Sequence, residues 1–411
     1  MIPKGWSSQK LSSVASIIDC KHRTPEYVKS GIPLVSPGTI KWGALDLISP
    51  VKRVTEEEYR SLMDHCVVEQ GDLVMSRNQS VGVVSYVDSK KPFVLGQDTV
   101  LIKAIHADWR FIYYTLQSDL VQRQIAKSAG GSTFSRINLS DIRALNIKTP
   151  AICEQDKISQ ILTAWDKAIS VTEKLLTNSQ QQKKALMQQL LTGKKRLLDE
   201  NGTRFSETWK LYALSELFQR VTTKNNGKSN NVVTISGQHG LIKQEDFFKK
   251  TVASDTLDGY FLLKKGQFAY NKSYSNGYPM GAIKRLNRYP EGVVTTLYIC
   301  FELTTPKKSC GDYWEHYFES GLLNNSLSQI AHEGGRAHGL LNVKPSDFFS
   351  LKVAVPGFEE QQKIASVLSA ADTEISTLEK KLACLKDEKK ALMQQLLTGK
   401  RRVKVDEAVA V

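Results

Sequence analysis

The side chains best suited to reading nucleic-acid bases fall in two loops. SRNQSVG at 76–82 stands between two β-like runs and offers Arg77, Asn78 and Gln79. These are the residue types that pair with two atoms at once on guanine or adenine edges. NKSYSNGYPMGAIKR at 271–285 interleaves Asn271, Lys272, Asn276, Lys284 and Arg285 with Tyr274 and Tyr278, which suits phosphate contact combined with stacking or groove insertion. Two Gly-Gly loops follow, GGSTFSR at 130–136 and GGRAHG at 334–339. Glycine lets backbone approach a phosphate, and Ser132, Thr133, Arg136, Arg336 and His338 can donate to it. Each stretch also reads as an ordinary polar turn with solvated side chains. Recurrence of a Gly-Gly turn at the same place in both halves favours the binding reading.

Chemistry of the bond-making kind finds no footing. The chain has no Pro-Pro pair, which excludes the (D/N/S)PP(Y/F) motif of amino-methyltransferases, and no GxGxxG follows a strand. GKS at 227–229 lacks the upstream glycine of a phosphate-binding loop, since Thr222 holds that position. Cys300, Cys310 and His316 match no zinc spacing and read as buried thiols beside a surface histidine. The chain is expected not to be an enzyme by itself and to bind no cofactor or metal.

Charge supplies the partner class. Lys and Arg number 56 against 42 Asp and Glu, a formal net charge of +14 over 411 residues, which puts nucleic acid ahead of an acidic membrane or acidic protein. No stretch approaches the ~18–20 apolar residues of a membrane span, and the first residues lack the apolar core of a signal peptide, so a cytoplasmic location is expected. Six scattered cysteines without a CxxC pair are expected to be reduced and mostly buried.

The elements that must carry these loops are announced by a duplication. KKALMQQLLTGK occupies 183–194 and again 389–400, an offset of 206, and EQDKI at 154–158 answers EQQKI at 360–364 at the same offset. Roughly forty residues match without a gap, a period far beyond the ~20–50 residues of a solenoid. From Glu154 apolar residues recur at helical spacing (Ile158, Leu162, Trp165, Ile169, Leu176, Leu186, Leu190), and no Pro or Gly intervenes before Gly193, which is placed to end the helix. A helix of that length spans about 57 Å and, apolar on one stripe, needs a partner, for which its own copy from Glu360 is the obvious choice. The basic helix ends either complement the helix dipole or meet an anionic partner. The stretches before each helix show short strands, late helices and a Gly-Gly turn. They share layout but little identity: VEQGDLVMSR at 68–77 is echoed by KKGQFAYNK at 264–272, and WSSQKLSSV at 6–14 by WKLYALSEL at 209–217. The expected fold is α+β, two β-rich heads each followed by a long helix, the helices packing as an antiparallel coiled coil.

On the segments P-x-x-x-EQ-x-KI-x-x-(I/V)L-x-x-x-D from Pro150 and Pro356, the two KKALMQQLLTGK helix ends and the GDLVMSRNQSVG stretch at 71–82, the chain resembles the specificity subunits of type I restriction-modification enzymes. The resemblance covers essentially the whole chain and implies a first target recognition domain at 1–152, a spacer helix at 153–195, a linker at 196–207, a second recognition domain at 208–358, a second helix at 359–398 and a basic tail at 399–411. Each head would read one half of a split sequence in double-stranded DNA, with the helices as a ruler for the unread spacer. Two modification subunits would bind S-adenosylmethionine and methylate adenine, and restriction subunits using ATP and Mg would cut. The second head departs from the family wording, having AYNKSYSNGYPMG in place of SR-x-x-x-VG. A non-catalytic coiled-coil scaffold whose heads bind protein is the alternative, separable by the steep salt dependence of nucleic-acid binding.

Overall fold

The computed structural model describes residues 2–50, 52–130, 135–248, 256–305, 307–333 and 341–405. Ser132, Thr133, Arg336 and His338 lie outside the described residues. The chain divides into two compact units, Met1–Glu173 with Lys380–Val411, and Lys174–Glu379. Two 39-residue helices, Ile152–Leu190 and Phe358–Leu396, are each shared between them.

In the first unit a five-stranded sheet runs in the order Ala15–Asp19, Thr99–Ala104, Leu73–Ser76, Val84–Tyr86, Gly43–Ala44. The helices Trp109–Gln117 and Asp119–Ala129 cover it. Residues of strand Leu73–Ser76 are all buried, which is why its sequence is a continuous apolar run rather than an alternating one. In the second unit an antiparallel four-stranded sheet repeats the first four places of that order, as Phe218–Arg220, Ile299–Leu303, Phe268–Asn271, Ala282–Arg285. Its core is aromatic: Phe218, Phe268, Phe301 and Trp314 meet with ring centroids 5.0–6.1 Å apart, Phe218 edge-on to the other three and Phe268 stacked on Phe301, contacts that add to the area they bury. In both units the first strand of the head pairs with its last, Ser7–Lys10 with Asn146–Thr149 and Lys210–Ala213 with Lys352–Val355, closing the head just before the long helix begins.

Each core takes in residues from both helices. Ile158, Leu162, Leu396 and Leu397 enter the first core, and Met187, Leu190, Ile364 and Leu368 the second, at about 2 kcal/mol per fully buried side chain. The repeated Glu-Gln dipeptide is a clasp. Glu154 accepts from Trp6 Nε1 (3.2 Å) and pairs with the Arg402 fork (2.7 and 2.8 Å). Glu360 does the same with Trp209 (3.1 Å) and Arg196 (2.6 and 2.7 Å). Gln155 bonds the Pro150 carbonyl and the Asp108 backbone N–H, and Gln361 bonds the Pro356 carbonyl and the Cys310 N–H, all at 2.9–3.0 Å.

Within each unit the two helix segments run antiparallel. Asp166 pairs with Lys389 (2.5 Å) and Glu173 with Lys386 (2.8 Å) in the first. In the second, Lys183 pairs with Asp372, and Ser179 donates to Glu374 at 3.1 Å. The first helix stops just before Gly193, as expected, and the second just before the matching Gly399. Gly193 and Gly399 have φ of +69° and +71°, and the N–H groups of Lys195 and Arg401 reach back to the carbonyls of Gln189 and Gln395 at 3.1 Å, the left-handed cap that glycine adopts without a Cβ penalty.

Two expectations need correction. His316 is not on the surface: it is 6% exposed, buried where the helix Gly311–Glu319 meets the long helix, because the apolar face of that aromatic helix turns it inward. Among the thiols only Cys20 and Cys300 are buried; Cys66, Cys153 and Cys310 are half-buried and Cys384 is exposed, the last on the solvent side of a long helix.

Candidate nucleic-acid interface

The loop 77–82 joins two strands of the first sheet and is built around a buried cation. Arg77 is 5% exposed; its Nη1 lies 2.8 and 3.1 Å from the two Asp19 oxygens and its Nε donates to the Ile137 carbonyl at 3.2 Å. Its backbone is fixed as well: its N–H donates to Asp98 O (2.8 Å) and its carbonyl accepts from Ile137 N (3.0 Å). The guanidinium therefore holds the loop's foundation and does not present itself to a base. Asn78, half-buried, and Gln79, exposed, stand on that foundation. Gln79 takes a left-handed φ of +57° with its N–H on Asn78 Oδ1 at 2.7 Å, a conformation uncommon outside Gly and Asn that turns the side chain outward. Gly82 keeps the turn tight, because a Cβ there would sit 2.8 Å from Ile125 Cγ2. Arg136, nearly half-exposed, pairs with Asp98 at 2.7 Å and bridges backbone-to-backbone with Asn78. Asn78, Gln79 and Arg136, which the sequence places in two separate loops, thus come together on one surface, while Arg77 lies beneath it.

In the second unit Asn271 ends a strand and turns its side chain onto the Ser273 N–H at 3.1 Å. Lys272 is half-buried and donates to the Val343 carbonyl at 3.3 Å; burial, and then the nearby Arg220 charge, lower its pKa from the ordinary lysine value. Tyr278 packs over Gly237, where a Cβ would lie 2.6 Å from its ring, and its hydroxyl sits 2.8 Å from Gly237 O and 2.5 Å from Glu319 Oε1. Lys284 completes that set, donating to the Tyr278 hydroxyl at 2.9 Å and pairing with Glu319. Burial first, and Glu319 second, push the Tyr278 phenol well above its ordinary value. Arg285 is paired with Asp312, with Glu315 at 3.7 Å. Lys284 and Arg285 are therefore committed to carboxylates of the helix Gly311–Glu319. Tyr274, 65% exposed, and Asn276 remain outward at the loop tip.

Asp19 and Asp98, which organise the first loop, escaped the sequence reading, since acidic residues facing a cation have no short motif. The one group among the described residues with metal-like geometry is Asp19, Cys20 and His22, whose ligand atoms lie within 4.8 Å of one another. It is a poor cation site. Both Asp19 oxygens face Arg77, one of them also His22 at 3.1 Å, and burial pushes the Cys20 thiol up, away from the thiolate a metal needs. No helix among the described residues is long and apolar enough to cross a membrane.

Residues 3–178 match the family model described as the type I restriction modification DNA specificity domain. A Methanocaldococcus jannaschii protein named as the MjaX type I restriction enzyme specificity subunit is 24% identical, the alignment covering 98% of this chain and 95% of that one. Among solved structures, the S subunit of a type I restriction-modification system from M. genitalium superposes with a TM-score of 0.58 at 17% identity, covering 96% of each chain. The HsdS subunit from Thermoanaerobacter tengcongensis gives 0.50 at 16% identity, over 97% of this chain and 98% of that one. At these identities the structural likeness establishes the fold.

Proposed function

We propose, from the premise that this chain belongs to the type I restriction-modification specificity-subunit family, that it reads a bipartite target in double-stranded DNA. In this reading Asn78, Gln79 and Arg136 of the first head contact one half-site and Asn271, Tyr274 and Asn276 of the second contact the other, with Lys272 supplying charge. Ser132 and Thr133 of the first head and Arg336 and His338 of the second would donate to DNA phosphates. Residues 1–152 and 208–358 are the recognition domains. The helices form an antiparallel coiled coil that fixes the spacer. Modification subunits, two of them, bring S-adenosylmethionine and methylate adenine, and restriction subunits bring ATP and Mg. This chain, in the cytoplasm, binds no cofactor and catalyses nothing itself.

One observation carries the reading. The clasps at Glu154 and Glu360 and the pairs Asp166–Lys389 and Asp372–Lys183 are the same contacts repeated at an offset of 206, whereas the exposed loop residues differ between the heads. Equal supports with unequal reading surfaces fit a protein that recognises two unlike short runs. Each well-read base pair adds about 1–3 kcal/mol of discrimination to a salt-sensitive phosphate contribution.

The test is a methylation map. Deleting the gene from its host should erase methyladenine at one split motif, two short runs around a constant gap, and restoring it should return that motif. A methylome unchanged by the deletion would sink the proposal. In that event the protein-binding scaffold becomes the better reading.

A further inference from the structure

The turn Gly96-Gln97-Asp98 in the first unit, just before the strand Thr99–Ala104, is anchored in an unusual way. Gly96 donates to Val35 O at 2.8 Å, and a Cβ on it would lie 2.5 Å from that same oxygen, so the turn presses on strand Ile32–Val35 in a way only glycine permits. Asp98 takes a left-handed φ of +62°, binds Arg77 through its carbonyl and pairs with Arg136 through its carboxylate. With both neighbours fixed, Gln97 is left exposed between them. One of its amide hydrogens is held by Thr24 Oγ1 at 3.0 Å. The second N–H and the two lone pairs of Oε1 are what an adenine edge requires, N6 donating and N7 accepting. Beside it opens a cavity of about 290 Å³ lined by Arg23, Thr24, Tyr27, Ser36, Lys52 and Gln97. Arg23 is forked onto Glu58. Lys52 lies 4.8 Å from the Tyr27 ring centroid and has no carboxylate partner among the described residues.

We infer that Gln97 is a specificity-determining residue that reads an adenine in the half-site of the first head, and that Lys52 at the adjoining cavity contacts the DNA backbone. The inference rests on the DNA-reading function proposed above. Asp98 ties Gln97 to Asn78 and Arg136, so the amide belongs to the same surface and adds one base to what the 77–82 loop reaches.

The full-length chain is used to select from a pool of randomised duplex DNA at low salt. Wild type is expected to enrich a split motif. Gln97→Ala should lose about ten-fold discrimination at one adenine of one run, the other run unchanged. Gln97→Glu, which keeps the size of the side chain and so informs even if the alanine variant folds poorly, should exchange that adenine for cytosine, whose N4 donates. Lys52→Ala should leave the motif intact, weaken all sequences alike and lower the salt slope by about one. A split motif identical in wild type and both Gln97 variants overturns the inference and leaves the bipartite reading standing, as does relaxation spread over both runs, which marks a structural role. A wild-type pool without a split motif overturns the bipartite reading and this inference with it.

Discussion

Arg77 and Lys272 occupy the same place in two sheets of the same strand order, and they are treated differently. Each follows the strand that corresponds in the two heads, and each donates a side-chain hydrogen bond to a carbonyl, Ile137 O at 3.2 Å and Val343 O at 3.3 Å; those acceptors are 206 residues apart. Each also accepts through its own carbonyl a bond from the same return segment, Ile137 N at 3.0 Å and Leu341 N at 2.9 Å. In the first head the cation faces Asp19. Counting from the clasp tryptophans Trp6 and Trp209, the position of Asp19 falls on Thr222 in the second, and the charge felt by Lys272 there is that of Arg220. The first loop thus stands on a neutralised, rigid foundation and reads with amides, whereas the second keeps positive charge under an aromatic loop tip. The backbone plan is common and the electrostatics are not.

Removing Asp19 tests that contrast most severely. Asp19→Ala leaves a guanidinium whose side chain is 6% exposed without a counter-ion, at a cost of about 3 kcal/mol in the stability of the first unit by urea unfolding. Thr222→Ala, at the matching position, removes no charge and should cost well under half of that. Equal losses at the two positions would mean that Asp19 matters as packing and not as the partner of Arg77.

A second contrast lies where each head meets the helices, and pH reads it. Tyr114 lies 3.2 Å from the Thr163 hydroxyl and donates to Asp166 at 2.7 Å, with Lys389 on the same carboxylate. In the second unit His316 lies 2.9 Å from Ser369 Oγ and 3.7 Å from Asp372, with Lys183 on that carboxylate. Burial first, and then Lys183, lower the His316 pKa from 6.5, against the opposing pull of Asp372, Asp312 and Glu319. Above about pH 6.5 the imidazole is neutral in both folded and unfolded chains. As pH falls below that, the unfolded chain takes the proton first, so stability is lost as pH passes down through the lowered folded value. The second unit of wild type should weaken between neutral pH and about 5 by more than the second unit of His316→Tyr, in which the first joint's residue stands at the second. Parallel pH curves for the two proteins would show that the imidazole is not what titrates.

Much of this was legible beforehand, for identifiable reasons. The helices, their ends at Gly193 and Gly399 and their pairing announced themselves because a duplicated apolar period and a repeated glycine constrain backbone directly. The matching of 68–77 with 264–272 was readable because buried strands must keep apolar runs. What resisted was everything set by charge meeting charge across distant segments. Arg77 looked like a reading side chain since nothing local says that Asp19, 58 residues away, will take it. Lys284 and Arg285 likewise looked free until the helix Gly311–Glu319 brought Glu319 and Asp312 against them. His316 read as a surface residue because one histidine in an aromatic helix carries no sign of which face it shares with Ser369.

The mildest contrast lies along the helices themselves. Lys389 and Lys386 are one turn apart and each pairs with an acid of the other helix, Asp166 and Glu173. Lys389 has 14% of its side chain exposed, pairs with Asp166 and lies 5.3 Å from the Tyr114 ring centroid, and the Tyr114 hydroxyl holds the same carboxylate, so two partners that also bind each other fix its position. Lys386 and Glu173 are about half-exposed, where water solvates both charges and the entropy of holding two long side chains together offsets most of the attraction. A double-mutant cycle on Lys389 and Asp166 should return about 1 kcal/mol of coupling, and the same cycle on Lys386 and Glu173 no more than about 0.5 kcal/mol, falling further with added salt. Comparable couplings for the two pairs would mean that the helices are held by a general complementarity of charge along their length. The expected inequality would place the electrostatic grip at the buried joint beside Tyr114, leaving the exposed stretch to be held by packing.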